Sequence, residues 1–494
     1  MSTPERDDGP IAVGSTSRTV NPALVLAVLA TASFIAALDV WITNVGLPAI
    51  GRGVGERSLS NLSWVLSAYA IVYAALLVPA GRLADRFGRK GGFLLGLTLF
   101  SAAGLGAGLC SNIWLLVGFR VLQAAGAAAL TPSSLGLVLT SAPTEKVQKY
   151  VSIWITTAAL SATCGPLLGG VLITASWRWL FLVNLPVCLL ALLGAARWVP
   201  NTKHEQNTRL PDALGGALLI LGIGALALGA VEGANWGWSS GRVVAAFAVS
   251  AVAVAAFVAQ SARHPAPVIQ LSLLRDRVFS SANGAVLLSF AAFSMVLLSL
   301  ILWLQGHWHY SAITTGLATA PGPAVVPIFA AIAQTLQQKT KIPVGAVAAA
   351  GLFLIGLGAI QFAVSLGNTR DYVDAFLPGW LTVGAGAGLA IPTLFSSATV
   401  NLAHEQTATG SAIVSMFQQI GAVIGISVLV AVLGVASGAA SLHLFQAAWI
   451  TAAGLVATAL IVAFGITPRR MPKRVALAGH EADPEPQAQP AASG

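Results

Sequence analysis

Charged residues are scarce in this chain. Asp, Glu, Lys and Arg make up 9% of its 494 positions, too few to cover the surface of a water-soluble globule. Cysteine is nearly absent: Cys110, Cys164 and Cys188 fall in or beside apolar stretches without metal-ligand spacing, which argues for buried inert thiols over a disulfide or metal site. Seven scattered histidines supply no His/Asp/Ser or metal cluster near an interface, so a membrane-embedded enzyme is a remote alternative and the protein reads as no enzyme. No Gly-x-x-x-x-Gly-Lys-Ser/Thr loop occurs, so no nucleotide and no cofactor are expected. The short polar joints leave no room for the soluble domain of a receptor. Residues 1–21 lack the apolar core of a signal peptide and read as a cytoplasmic tail. Residues 467–494 are too rich in Ala, Pro, Glu and Gln to pack and read as a partly disordered one.

What is abundant is apolar: 56% of residues are hydrophobic, with mean hydropathy +0.81. Crossing a bilayer takes about 20 apolar residues per helix. Such stretches recur near 22–48, 61–82, 90–109, 113–139, 148–173, 178–198, 212–232, 242–261, 279–304, 314–334, 343–366, 375–397, 408–434 and 444–466. The expected fold is all-α and membrane-embedded, with about 14 spans. If the amino terminus is cytoplasmic, the outer joints hold only Arg52, Arg57, Arg178, Arg242 and Arg370, while every other basic residue except Arg120 lies inside. That asymmetry puts both termini in the cytoplasm of a multi-pass protein of the cytoplasmic (inner) cell membrane. The net charge of +9 therefore orients the chain rather than binding nucleic acid. Arg469, Arg470, Lys473 and Arg474 suit lipid headgroups, and Trp177, Trp179, Trp236 and Trp238 suit the membrane interface.

Two runs stand out. Between spans two and three lies Gly81-Arg82-Leu83-Ala84-Asp85-Arg86-Phe87-Gly88-Arg89-Lys90. A positive-inside turn explains its basic residues but not Asp85 or the bracketing glycines, which permit tight turning and close helix approach. In span five, Ser161, Gly165 and Gly169 share one face of Ser161-Ala162-Thr163-Cys164-Gly165-Pro166-Leu167-Leu168-Gly169-Gly170, where small side chains let helices touch and Pro166 gives local freedom. The first run resembles the cytoplasmic signature of the major facilitator superfamily. The second resembles the antiporter signature of its drug exporters. Further similarity to the fourteen-helix drug:proton antiporter branch runs through Leu38 to Pro48, Trp177 to Pro186, Pro211-Asp212 and Phe417 to Gly421. Departures are Val40, Trp41 and Gly46, the Ala124-Ala125 pair before Gly126, and a second-half counterpart of the first run, around Ala333 to Lys341, without acid or glycines.

Charge inside the bilayer costs at least about 2.5–3.5 kcal/mol unless it is paired or hydrated. Asp39 lies inside span one with Thr43 one turn on, and Arg120 lies inside span four with Gln123 one turn on. They are either a structural ion pair or a coupling site, since burial favours the protonated carboxyl and a nearby cation the charged one. Glu232 is either a solvated helix end or a second acidic coupling site; His307 and His309, beside Trp308, read as hydrated loop.

The resemblance implies two six-helix bundles, 22–200 and 266–466, with two inserted helices in 201–265 between them. It also implies a clasp in which Asp85 pairs with a neighbouring helix and its dipole, alternating access, and proton-coupled efflux of small amphipathic drugs or antibiotics. The expected partners are that substrate, protons and the lipid bilayer. A dedicated exporter of one metabolite, antibiotic or lipid is the alternative. Candidate cavity residues are Phe34, Trp41, Thr43, Gln123, Phe290, Phe293, Trp303, Gln305, Phe395, Phe417 and Gln418, the mix of aromatic walls and polar handles that a broad pocket needs.

Overall fold

Most helices run past the apolar stretches that predict them. The computed structural model describes residues 21–201, 210, 212–339, 342–402, 404–434 and 441–466. The two tails, the basic run at 469–474 and Lys341 lie outside the described residues. Among the described residues, fourteen helices are long and apolar enough to cross a membrane: α1 Pro22–Val54, α2 Leu59–Phe87, α3 Arg89–Leu109, α4 Ile113–Ser141, α5 Val147–Ala175, α6 Trp179–Trp198, α7 Ala213–Trp236, α8 Gly241–Arg263, α9 Arg277–Gly306, α10 Ala312–Lys339, α11 Val344–Ser365, α12 Tyr372–Thr399, α13 Thr409–Leu433 and α14 Leu442–Ile466. Helix α1 shows why they extend. Asn21 caps it by accepting from the Ala23 N–H at 2.9 Å, Pro22 presets its first turn, and Gly55 closes it at φ 72°. Such a cap contributes about 1 kcal/mol.

Three helices are interrupted. Helix α6 breaks between Leu182 and Asn184, α10 between Thr319 and Pro321, and α12 opens with a π-helical turn at Tyr372–Phe376. Proline explains the second break, because it lacks an N–H and crowds the preceding turn.

The packing repeats itself. Helix α1 packs on α4, α5 and α6, and α2 and α3 on α4; in the second half α9 packs on α12, α13 and α14, and α10 and α11 on α12. The halves meet along α2–α13 and α5–α10, and the inserted α7–α8 pair lies against α2 and α13. We call the end where α1 begins the terminal end, and the opposite one the far end. Glycine makes the seams close: a Cβ on Gly126 would sit 2.6 Å from the Phe100 nitrogen, and one on Gly351 2.5 Å from that of Ala390. The Ala124-Ala125 departure thus leaves the α3–α4 seam intact on Gly126.

The tryptophans divide. Trp179 and Trp238 are exposed as interface anchors should be, but Trp177 is buried, its indole against Gly53 of α1. His307 also departs from the hydrated-loop expectation, stacking on Trp303 at 3.9 Å, whereas His309 is exposed.

Candidate functional site

At the middle of α1, Asp39 is wholly buried and sits in a closed polar network. Its Oδ2 accepts from Arg120 of α4. Its Oδ1 accepts from Gln123 of α4 at 2.9 Å and from Asn184 of α6 at 3.0 Å. Gln123 Oε1 in turn accepts from Arg120 at 2.8 Å. The guanidinium also donates to the Val65 carbonyl at 3.2 Å and lies over the Tyr69 ring at 4.3 Å. A buried ion pair holds together only when its remaining lone pairs and protons are satisfied, and these neighbours do that. Thr43, expected to join Asp39 at the cavity, is buried and donates to the Asp39 backbone carbonyl at 2.6 Å.

Arg120 forms part of the wall of a cavity of about 280 Å³ between the halves. Four expected residues line it: Trp41, Phe290, Phe293 and Gln418. Phe34, Phe395 and Phe417 do not; they are half-buried against the core. Gln123 faces the ion pair. Trp303 lies fully buried in an aromatic cluster with Phe445 and Trp449 inside the second half. Gln305 sits at the far end, where it donates to the Val45 carbonyl of α1 at 3.1 Å and lines a second cavity of about 270 Å³ with Arg52, Glu56 and His307. Burial pushes Glu56 up, but bonds from Ser58, Asn61 and Arg57 more than offset it and hold the carboxyl below its usual range. Burial, and then His309, push His307 below its usual range.

The sequence reading missed Asn184, Tyr69, Tyr73, Asn44, Trp154 and Gln419. Asn184 stood inside a quoted run without a role. A signal was there, because polar or hydrogen-bonding side chains amid apolar spans mark pathways.

The antiporter run faces two ways. A Cβ on Gly165 would lie 2.3 Å from that of Trp41, and one on Gly169 3.2 Å from the Ile42 Cα, so this face packs on α1 inside the first bundle. Ser161 is buried on the same helix. A Cβ on Gly170 would instead stand 2.6 Å from the Ala312 carbonyl oxygen, and one on Gly316 2.2 Å from that of Pro166. Those two contacts close α5 against α10 at the far end.

In the joint between α2 and α3, Asp85 in the last turn of α2 reaches the first residue of α3. It accepts from Arg89 Nε at 2.8 Å, and Arg89 carries the link onward to the Gly136 carbonyl of α4 at 3.1 Å. Lys90 donates to the Ala196 carbonyl near the end of α6 at 3.0 Å. Gly88 makes the corner at φ 107°, which a side chain would strain. A Cβ on Gly81 would stand 3.3 Å from that of Pro132 of α4, and Arg86 lies beside Phe87. In the second half, Gln337 of α10 reaches Thr393 of α12 at 2.9 Å, a neutral bond.

Glu232 is neither a solvated helix end nor a cavity residue. It is 9% exposed and accepts from Ser60 of α2 and from Asn235 at 2.7 Å, fastening the inserted pair to the first bundle. Glu232→Gln is expected to preserve uphill transport while lowering thermal stability by roughly 1 kcal/mol, the scale of one hydrogen bond. Loss of transport at unchanged stability would return Glu232 to the coupling site.

The profile of the Major Facilitator Superfamily matches residues 29–426. The chain is 32% identical over 406 residues to the multidrug resistance protein Stp of Mycobacterium tuberculosis, covering 81% of this chain and 74% of that one. It is 32% identical over 415 residues to the lincomycin resistance protein of Streptomyces lincolnensis, covering 82% and 83%. A crystal structure of a POT family transporter in complex with 5-aminolevulinic acid superposes with TM-score 0.67 at 16% identity, covering 90% of this chain and 96% of that one. That likeness speaks for the fold alone. With fourteen apolar helices in two repeated bundles, and curated relatives that are drug-resistance transporters, the protein is a membrane transporter and not an enzyme, and it belongs to the major facilitator superfamily.

Proposed function

We propose that the protein exports small amphipathic drugs or antibiotics across the cytoplasmic membrane by alternating access, in exchange for protons. The supporting observation is the Asp39–Arg120 pair, sealed from water on one side and forming cavity wall on the other. When Asp39 takes a proton, Arg120 loses its counter-charge and the network of Gln123 and Asn184 must rearrange, which changes the wall that substrate touches. Substrate and proton thus exclude one another, as exchange requires. The bundles 22–200 and 266–466 rock about the α2–α13 and α5–α10 contacts, with 201–265 carried alongside. Both termini face the cytoplasm, so the terminal end is the intake side. The test uses purified protein in detergent with lincomycin, puromycin and other resistance-panel compounds. A bound compound is expected to release protons, and Asp39→Asn to abolish the release. Binding that is independent of pH would overturn the coupling.

The clasp gives a second test. Asp85 and Arg89 are 42% and 21% exposed, so their pairing contributes only about 0.3–0.5 kcal/mol. Asp85→Asn is expected to leave expression and melting unchanged while slowing export, because Arg89 is no longer aimed at Gly136. Normal turnover in that variant would remove the clasp from the cycle.

A further inference from the structure

We infer that the central cavity selects uncharged, aromatic-faced, hydrogen-bonding molecules and rejects permanent cations, an inference that rests on the exporter reading above. A cation entering low-dielectric surroundings gives up hydration and needs a carboxylate in return. The cavity offers none. Asp39, the one acid of the site, has no exposed surface, and both its oxygens already accept bonds from Arg120, Gln123 and Asn184. Among the described residues no Asp or Glu lines the wall. The second half cannot supply one from mid-membrane either, since between Asp276 and Glu405 the sequence holds only Asp371 and Asp374, both at the far-end start of α12.

Aromatic faces can also hold cations, but two of those in the wall are covered. Tyr69 is already covered by the Arg120 guanidinium at 4.3 Å, and Phe293 is stacked on Trp380 at 6.4 Å. The charged group at the wall is Arg120 itself, and its contact with Asp39 leaves little net charge to draw an ion of either sign. What remains is neutral: the rings of Trp41, Tyr73, Trp154 and Phe290 and the amides of Asn44, Gln418 and Gln419, with no carboxylate among them. These suit a flat molecule with carbonyl or hydroxyl groups.

The test compares dansyl amide with the same fluorophore carrying a trimethylammonium arm, in binding to detergent-purified protein and in proton-driven transport by reconstituted vesicles. The neutral probe is expected to bind saturably and be transported, and the cation to bind roughly tenfold or more weakly. Gln418→Glu, which adds a carboxylate to the wall, is expected to narrow that gap by strengthening the cation. Equal or tighter binding of the cation by the unaltered protein would overturn the charge selectivity and leave export standing. Stable, inserted protein that binds and transports neither probe would overturn the exporter reading, and this inference with it.

Discussion

Asp39→Asn is expected to abolish uphill, proton-driven export and to destabilise the protein at the same time. The amide matches the carboxylate in size but cannot exchange a proton. It also leaves Arg120 buried, 1% exposed, without a counter-ion, and offers one acceptor oxygen where the network uses two. Breaking a buried pair from one side costs roughly 3–5 kcal/mol, so the single variant should melt earlier and express less. The double variant Asp39→Asn with Arg120→Gln separates the two roles, because it removes the orphaned charge. Its stability should recover while uphill export stays at background. The measurement is proton-gradient-driven efflux beside a thermal scan on the single and double variants. If the double variant regains efflux together with stability, the pair is structural and the coupling site lies elsewhere.

Gly316→Leu is expected to remove export while leaving each bundle folded. The atoms its side chain would meet are backbone: the Pro166 carbonyl oxygen at 2.2 Å, its carbon at 2.9 Å and the Leu167 Cα at 3.3 Å. Backbone cannot swing aside, so α10 must part from α5, and the halves with it at the far end. Gly165→Leu should differ in kind. It meets Trp41 of α1 within the first bundle, so it should remain inserted but lose roughly 1–3 kcal/mol to overpacking, and export with it. Efflux and melting together distinguish these outcomes. Full efflux in Gly316→Leu would show that far-end closure does not need this contact.

The spans were legible because about 20 apolar residues in a row have only one solution in lipid, a helix that satisfies its own backbone. Their ends were not, since α1 runs past its apolar stretch to Val54, where Gly55 closes it by capping, not hydropathy. The acid and base of the site were legible for a related reason: a charge in an apolar run is costly wherever it points. Aromatics carry no such penalty, so sequence could not say which of them face a cavity. Trp41 and Phe293 do, whereas Trp303 fills a core and Phe34 a flank.

By itself the sequence determined the membrane class, the number of spans, the small-residue runs and the pair Asp39 and Arg120 as the costly charges. Tertiary structure decided the partners. It brought Asn184 across 145 residues to Asp39, joined Asp85 of α2 to Arg89 at the start of α3, divided the antiporter run between α1 and α10, and set Glu232 against Ser60. The physical reason is one of range. Apolar run length and the cost of burying charge belong to each residue and its chain neighbours, so they can be read along the chain. Which donor meets which acceptor depends on how helices far apart in sequence pack, and only the folded protein fixes that.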